Sequence, residues 1–416
     1  MPEYLAPGVY VEEVPGGAHP IVPVGLSTAG FVGEAPDPGA LVNVAWPVNN
    51  WLEFVRRYVP EGSASTPLSH AVFGYFLNGG SRCYVVNTGK GRPVTGGGRD
   101  AQGLQVLERV DEVAIVVCPG YTDPASHEAV ISHCESMRYR VGILDLEDVA
   151  DIDDLTKVET APDPKKAGGG GGGGDSSGGG GGGGAAAGDA GTARRPRDTT
   201  YATTYFPKIT VKDPLPPGDL VDISPSGHVA GVWSRTDLLR GVHKAPANEV
   251  PRGALNLGYR VTTAEQKLLN VAGINAIRFF ERDGIKIWGA RTLAQESDPF
   301  RYLNVRRLFI MVEKSIELST NWIVFEPNDE VLWGSITRDC TAFLTGLWRT
   351  GALVGRRPSE AFFVKCDRET NPPDQVDLGI VTTLIGLAAV KPAEFVVFRI
   401  SQWDGGAQVQ TVGAAA

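Results

Sequence analysis

The sequence lacks the residue patterns that build metal centres, disulfide frameworks and common catalytic sites. Its five cysteines are odd in number, widely spaced and without a CxxC pair, which predicts buried free thiols in a reducing compartment. The six histidines are scattered, and no GxSxG or HExxH motif is present. We therefore predict no catalytic residue, no metal ligand and no cofactor.

Long apolar runs and a surplus of basic residues are missing as well. The stretch from Leu378 to Val390 is short and is interrupted by glycine and threonine, so it is not expected to cross a bilayer. The opening segment MPEYLAPGVYVEEV has neither the basic nor the apolar part of a Sec signal. Because 48 acidic residues outnumber 39 Lys and Arg residues, nucleic acid is an unfavourable partner. We expect assembly in the cytoplasm, without direct membrane insertion.

What is present begins with a strand–helix–strand pattern in the first half of the chain. Val113 to Cys118 is a continuous apolar run, which is typical of a central parallel strand. His127 to Tyr139 has helical periodicity, and Val141 to Leu144 is the next strand. This unit also leaves open a cytosolic α/β enzyme, whose ligand pocket would lie beyond the strand end at Pro119–Gly120.

The second half predicts two long helices on a small sheet. The helices are expected over Asn304–Trp322 and from Pro327–Glu330 to about Thr350. In the first of them, Arg306 and Arg307 lie outside the apolar stripe and are assigned to the polar face. Three strands are predicted to finish the chain: Ala361–Cys366, Leu378–Ala389 and Phe395–Ser401.

A glycine-rich segment divides these halves. Residues 160–198 are interpreted as a flexible loop, because polyglycine has high backbone entropy and nothing to bury. Its basic end, Arg194, Arg195 and Arg197, is expected to be solvated. The fold class is therefore α/β (α+β), in four parts: a β-arm (1–20), an N-terminal α/β domain with the loop (21–228), a C-terminal core domain (229–390), and a C-terminal β-arm and tail (391–416).

Strand signals at both termini suggest that the chain ends are held in a sheet, in another copy of the chain. Chain ends usually fray unless something ties them down, yet both ends are rich in β-branched and aromatic residues. The residues assigned to the two arms are Val9, Tyr10, Val11, Val14, Phe395, Val396, Val397, Phe398 and Ile400.

These segments carry a family resemblance. The opening PGVYVEE (Pro7–Glu13), the run from Cys118 to Asp145, and the segments Gly284–Thr292, Tyr302–Arg307 and Lys391–Ile400 together resemble the tail sheath proteins of contractile phage tails and contractile injection systems. The resemblance covers about 1–150 and 228–403. Many sheath proteins carry folded insertion domains in the middle, where this chain has polyglycine.

The resemblance implies a structural protein and its partners. Sheath subunits form stacked hexameric rings in a helical array around an inner tube, as part of a phage tail or phage tail-like particle. The baseplate triggers contraction, which drives the tube through a target envelope. Implied partners are other copies of the chain, the inner tube protein, and baseplate and tail-terminator proteins. A non-contractile scaffold protein is a further alternative.

Strand addition needs an extended arm and a sheet edge that receives it. The sheet expected to receive the arms includes Phe362, Phe363, Val364, Ile380 and Val381. Hinges that let the subunit bodies move while the arms stay paired are expected at Pro15, Gly16, Gly17 and Pro392. Which neighbour receives each arm is left open.

Overall fold

The computed structural model of the chain describes residues 19–95, 101–147, 151–159 and 194–395. The N-terminal arm with its hinge at 15–17, the segment 160–193 and the arm residues from Val396 onward lie outside these ranges. Within them, no helix is both long enough and apolar enough for a transmembrane span.

The strands, in chain order, are β1 (Ala29–Gly33), β2 (Trp46–Val48), β3 (Cys83–Asn87), β4 (Ile115–Val117), β5 (Val141–Leu144), β6 (Ala202–Phe206), β7 (Ile209–Lys212), β8 (Leu220–Ile223), β9 (Asn256–Leu257), β10 (Ile274–Phe280), β11 (Gly284–Ile287), β12 (Phe362–Lys365) and β13 (Leu384–Leu387). The helices are α1 (Trp51–Tyr58), α2 (Pro67–Leu77), α3 (Leu104–Leu107), α4 (Pro124–Met137), α5 (Ile152–Thr156), α6 (Ser226–Arg240), α7 (Thr263–Val271), α8 (Leu303–Ser319), α9 (Glu330–Arg349), α10 (Pro358–Ala361) and α11 (Pro373–Asp377), with a short 3-10 helix at Asn321–Ile323.

An eight-stranded sheet in the order β11-β10-β6-β5-β4-β1-β3-β2 forms the first core. Its inner strands are parallel, and the outermost pair at each edge is antiparallel. The predicted unit is confirmed, because β4 and β5 pair in parallel on either side of α4. Strands β1, β3, β4, β5 and β6 are buried throughout, as expected for a sheet covered on both faces.

This sheet crosses the predicted domain boundary between residues 228 and 229. Strands β10 and β11 lie well beyond that boundary, yet they form one edge of the sheet. Helix α6 spans the boundary and packs tightly on α2, where a Cβ on Gly227 would lie 2.3 Å from the backbone of Ala71. Small residues let the two helix backbones approach. Because β10 and β11 belong to the same sheet, the first unit extends to the end of β11.

The second unit contains α8, α9 and a two-stranded antiparallel sheet of β12 and β13. The strand predicted over Leu378–Ala389 is too long, since β13 begins only at Leu384. Ile380 and Val381 therefore lie before the strand, contrary to prediction. The amide of Ile380 donates to the Gln375 carbonyl at 2.9 Å, and this turn after α11 uses the backbone group that a sheet would need.

The prediction for the basic residues was wrong at two places. Arg195 is buried and donates to the carbonyls of Ala272 (2.6 Å) and Leu293 (3.1 Å). Arg197 pairs with Glu128 and Glu135 on α4. The flexible loop expected over 160–198 therefore does not include residues 194–198. The five cysteines are confirmed as buried free thiols.

Arg306 and Arg307 are also buried, at 5% and 2% exposure, rather than lying on a polar face. Arg307 donates two hydrogen bonds to Asp237 on α6, at 2.9 and 2.5 Å, and a third to the Leu26 carbonyl at 3.0 Å. The Arg306 guanidinium lies over the ring of Tyr201. Helical periodicity did not reveal these positions because their partners come from distant segments.

Replacing Arg307 with leucine should reduce the free energy of unfolding by about 3–5 kcal/mol, because Asp237 would remain as a buried, unpaired carboxylate. The Arg307→Leu/Asp237→Leu double variant should be more stable than the single variant. As a control, Arg368→Leu breaks an exposed pair with Glu330 and should change stability by less than about 1 kcal/mol. Urea unfolding would measure all three. Equal losses for Arg307→Leu and Arg368→Leu would refute the importance of the buried pair.

His228 should make the fold sensitive to acid. Its ring is buried against Gly74, and neither ring nitrogen has a hydrogen-bond partner among the described residues. Burial, with a smaller effect of His70, lowers the pKa of His228 to about 4. The pKa of His228 in the folded chain lies below the ordinary value of about 6.5. Neutral His228 therefore contributes fully to the stability of the fold above pH 6.5, and this contribution is lost as the pH falls through 4.

Between pH 7 and pH 4, the free energy of unfolding of the wild-type chain should therefore fall by about 3 kcal/mol more than that of a His228→Gln variant. Burial raises the pKa of Asp145 to about 6. This shift favours the folded state as the pH falls, but it does so equally in the wild type and in the variant. Urea unfolding at a series of pH values gives the difference. Parallel stability curves for the two proteins would contradict this role of His228.

Candidate assembly site

The described chain begins as an extended segment along α8. The ring of His19 stacks on Trp322 with 4.2 Å between centroids. The amide of Val22 donates to Ser319 Oγ at 3.2 Å, and that of Val24 donates to Ser315 Oγ at 3.0 Å. Since these contacts shift toward the amino end of α8 as the residue number of the segment increases, His19 lies beside the carboxyl end of α8.

The C-terminal segment is fixed at the other end of the same helix. Val390 is held at its carbonyl by Asn304 Nδ2, at 3.0 Å, and at its amide by the Ala352 carbonyl, at 3.2 Å. Farther on, Glu394 accepts hydrogen bonds from Arg291 Nε and Nη2, at 2.9 and 2.6 Å. Tyr302, the residue before α8, contributes a third contact to Glu394 at 3.3 Å.

The two chain ends are thus rooted at opposite ends of α8. The helix has 17 residues, so the two roots are separated by roughly 25 Å at 1.5 Å per residue. We call the contacts of residues 19–24 with Ser315, Ser319 and Trp322 the N-terminal root. The contact of Glu394 with Arg291 and Tyr302 is the C-terminal root. Each root holds a described end of the chain next to a segment that the sequence predicts to be an arm.

The C-terminal root unites three segments that the sequence singles out separately. Arg291, Tyr302 and Glu394 come from Gly284–Thr292, Tyr302–Arg307 and Lys391–Ile400. The Arg291 side chain is 6% exposed and that of Glu394 is 21% exposed. The sequence had not identified these three residues as a group, and no periodicity links residues so far apart in the chain. The serines and Trp322 at the N-terminal side of the site were missed for the same reason.

The small sheet presents unpaired edges. Within the described ranges, β12 and β13 pair only with each other. The predicted residues Phe362, Phe363 and Val364 lie on β12, where Phe362 is buried and Phe363 is 53% exposed. Phe363 covers its cross-strand partner Gly386. Two-stranded sheets are marginal by themselves, and an open edge is a template for another strand.

Two of the predicted hinge and arm residues, Pro392 and Phe395, lie close to the C-terminal root. Pro392 lies between the fixed residues Val390 and Glu394. Phe395 is the last described residue and is 74% exposed. Val396, Val397, Phe398 and Ile400 lie outside the described residues, as do Val9, Tyr10, Val11, Val14, Pro15, Gly16 and Gly17.

A cavity of about 650 Å³ lies where the enzyme alternative requires one, beside Pro119 and Gly120. It opens between the ends of β1 and β4, where the order of the parallel strands reverses, a common ligand position in α/β folds. Two of its polar side chains have structural partners: Asp123 caps α4 by accepting from Ser126, and Ser65 donates to Asp213. Asp213 in turn lies between Ser65 and His70, so the imidazole does not contact the serine hydroxyl as a catalytic base would.

Two family models match adjacent parts of the chain. The phage tail sheath protein central domain matches residues 186–293, and the phage tail sheath C-terminal domain matches residues 295–402. Together they span more than half of the chain. The chain belongs to the phage tail sheath protein family. The division between the sheath domains follows β11 closely, in agreement with the extent of the large sheet.

Characterised relatives match part of this sheath chain. The tail sheath protein of Vibrio phage KVP40 is 28% identical over 176 residues, covering 42% of this chain and 25% of the relative. A putative prophage major tail sheath protein of Pseudomonas aeruginosa is 28% identical over 185 residues, covering 43% of this chain and 46% of the relative. The matches span about a quarter of the length of the Vibrio, Salmonella and Enterobacteria phage relatives.

Solved sheath structures match over nearly the whole length. The sheath complex of an extracellular contractile injection system, PVC, in its contracted state is 28% identical with a TM-score of 0.74, covering 97% of this chain and 99% of that one. The helical sheath of the anti-feeding prophage in its contracted state is 26% identical with a TM-score of 0.71, covering 96% and 99%. The predicted α/β (α+β) sheath fold is thereby confirmed.

Replacing Ser315 with alanine should loosen the N-terminal root. The hydroxyl of Ser315 donates to the Met311 carbonyl and accepts from the Val24 amide, so its loss leaves a partly buried amide unpaired at a cost of about 1–3 kcal/mol. Amide hydrogen exchange at residues 22–26 should accelerate. Ser335→Ala is the matched control, because its hydroxyl makes the same bond one turn back, to Val331. Unchanged exchange at Val24 in Ser315→Ala would contradict the prediction.

Proposed function

We propose that the chain is the structural subunit of a contractile sheath that polymerises as stacked hexameric rings around an inner tube. Contraction of this sheath drives the tube through a target envelope. The observation that carries the proposal is the combination of two rooted chain ends with a sheet that has open edges. Strand addition needs an extended segment and an open sheet edge, and the roots would give each arm a fixed starting point.

The arm residues and the small sheet supply complementary parts. The segments 8–14 and 395–400 are rich in β-branched and aromatic residues, which favour strands. Strands β12 and β13 offer unpaired backbone groups to such segments. Because the roots lie at opposite ends of α8, one subunit can engage different neighbours with its two arms.

The linkage supports movement without dissociation. Backbone hydrogen bonds within an added strand do not depend on the orientation of the subunit bodies, so arms that remain paired allow the bodies to rotate. In this mechanism the work comes from two packings of the same subunit, and neither a cofactor nor catalysis is required. The inner tube, the baseplate and the tail terminator are the partners that such a sheath needs. The sheath would assemble in a cytoplasm before the particle is released.

Negative-stain microscopy of the purified chain tests the proposal directly. Hollow tubes with six-fold symmetry are expected, and a second, shorter and wider form is expected after contraction. Monomers that stay dispersed at high concentration would overturn the sheath function, and tubes with one fixed length and width would favour a non-contractile scaffold. Turnover of a small molecule by monomers would favour the enzyme alternative at the cavity beside Gly120.

Deleting residues 1–14 or residues 395–416 should abolish tube formation while the body keeps its thermal unfolding transition. Each deletion removes one strand donor and leaves the roots and the three described sheets intact. Shortening the glycine run at 168–184 is the control and should leave tube formation unchanged, since glycine disfavours strands. Normal tubes from either truncated chain would refute the role of that arm.

A further inference from the structure

We propose that Arg291 is a positioning residue for the C-terminal arm, and that the arm pivots after Glu394 rather than at Pro392. This inference rests on the proposed function, because it concerns the arm that the sheath subunit would donate. It moves the hinge expected at Pro392 to the far side of the C-terminal root.

Arg291 is itself held rigidly by the large sheet. Its amide donates to Asn275 Oδ1 at 2.7 Å, and its carbonyl accepts from Asn275 Nδ2 at 2.9 Å. Its Nη1 donates to the Asn270 carbonyl at the end of α7, at 2.9 Å. With the backbone and Nη1 of the guanidinium fixed, the two remaining nitrogens, Nε and Nη2, point in a defined direction, toward Glu394.

The ion pair between Arg291 and Glu394 is stronger than an ion pair at an exposed surface. Arg291 binds the carboxylate with two parallel hydrogen bonds, which fix orientation as well as distance. The arginine is almost fully buried and the glutamate is mostly shielded, so solvent screens the attraction less than it does at the surface. Tyr302 adds a contact from a third segment. A single residue at the base of the arm is therefore tied to both structural units.

The position of Pro392 follows from these anchors. Val390 is held upstream by Asn304 and Ala352, and Glu394 is held four residues later by Arg291. A proline between two fixed points cannot redirect the chain beyond them without breaking one. The first bond that can rotate freely without disturbing the root lies beyond Glu394, next to the exposed Phe395.

Glu394→Gln tests this directly, because it keeps the shape of the side chain and removes the charge that Arg291 binds. In unassembled protein, cleavage by chymotrypsin after Phe395 should become about tenfold faster, and the protein concentration needed for tubes should rise by about tenfold. Arg291→Lys, which keeps the charge and loses the bidentate fork, should show both effects to a smaller extent. Thermal unfolding of the body checks that each variant folds.

Two controls separate the pivot from a general effect. Pro392→Ala should leave both readouts within about twofold of wild type, because the root still holds the chain. Glu369→Gln removes an exposed acidic partner of Lys365 beside β12 and should also be silent. Large effects of Pro392→Ala, or none of Glu394→Gln, would overturn the inference. If the wild-type chain forms no tubes, the sheath function fails, while the cleavage rates still decide where the arm pivots.

Discussion

The buried pair of Arg307 and Asp237 is the contact on which the arrangement of the two units depends. Asp237 belongs to α6, which packs on the large sheet, and Arg307 belongs to α8 of the second unit. The same guanidinium holds the Leu26 carbonyl of the N-terminal segment and lies over Trp233. A buried charge must have its partner, because isolation in a low-dielectric interior is costly. One side chain therefore makes three parts of the chain depend on one another, and α8 keeps a fixed position against the sheet.

A fixed α8 gives the chain ends a defined geometry. The helix carries the N-terminal root near its carboxyl end, through Ser315, Ser319 and Trp322, and the C-terminal root at its amino end, through Tyr302. In the proposed linkage, a force on one arm would therefore pass along the helix axis to the other arm. In a sheath whose subunits are linked only by arms, this would make α8 the element that carries tension between neighbours.

The sequence predicts the helices and strands well but the long-range contacts between them poorly. Apolar runs such as Val113–Cys118 and the helical stripe of Asn304–Trp322 identify buried strands and helices because period and burial are local properties. Arg307 and Arg195 are buried although their local sequence pattern predicts exposure, because partners far away in the chain accept their hydrogen bonds. The small sheet shows the same limit: Phe362–Val364 was correctly assigned to a strand, but the turn that removes Ile380 and Val381 depends on Gln375 and Asn371. The roots were not predictable, although the segments that form them were.

The open edges of the small sheet and the fixed roots both bear on the specificity of strand pairing. An unpaired edge on β12 or β13 carries the risk of pairing with unintended strands, and this chain does not cover it within the described ranges. Arms that leave the body at fixed points and in fixed directions reduce that risk, because a strand held at its base meets only those edges that lie within its reach. The entropy lost in ordering an arm is also smaller when its first residue is already fixed. In the proposed sheath, specific pairing between copies would thus depend less on the arm sequence than on where Arg291 and Trp322 make each arm begin.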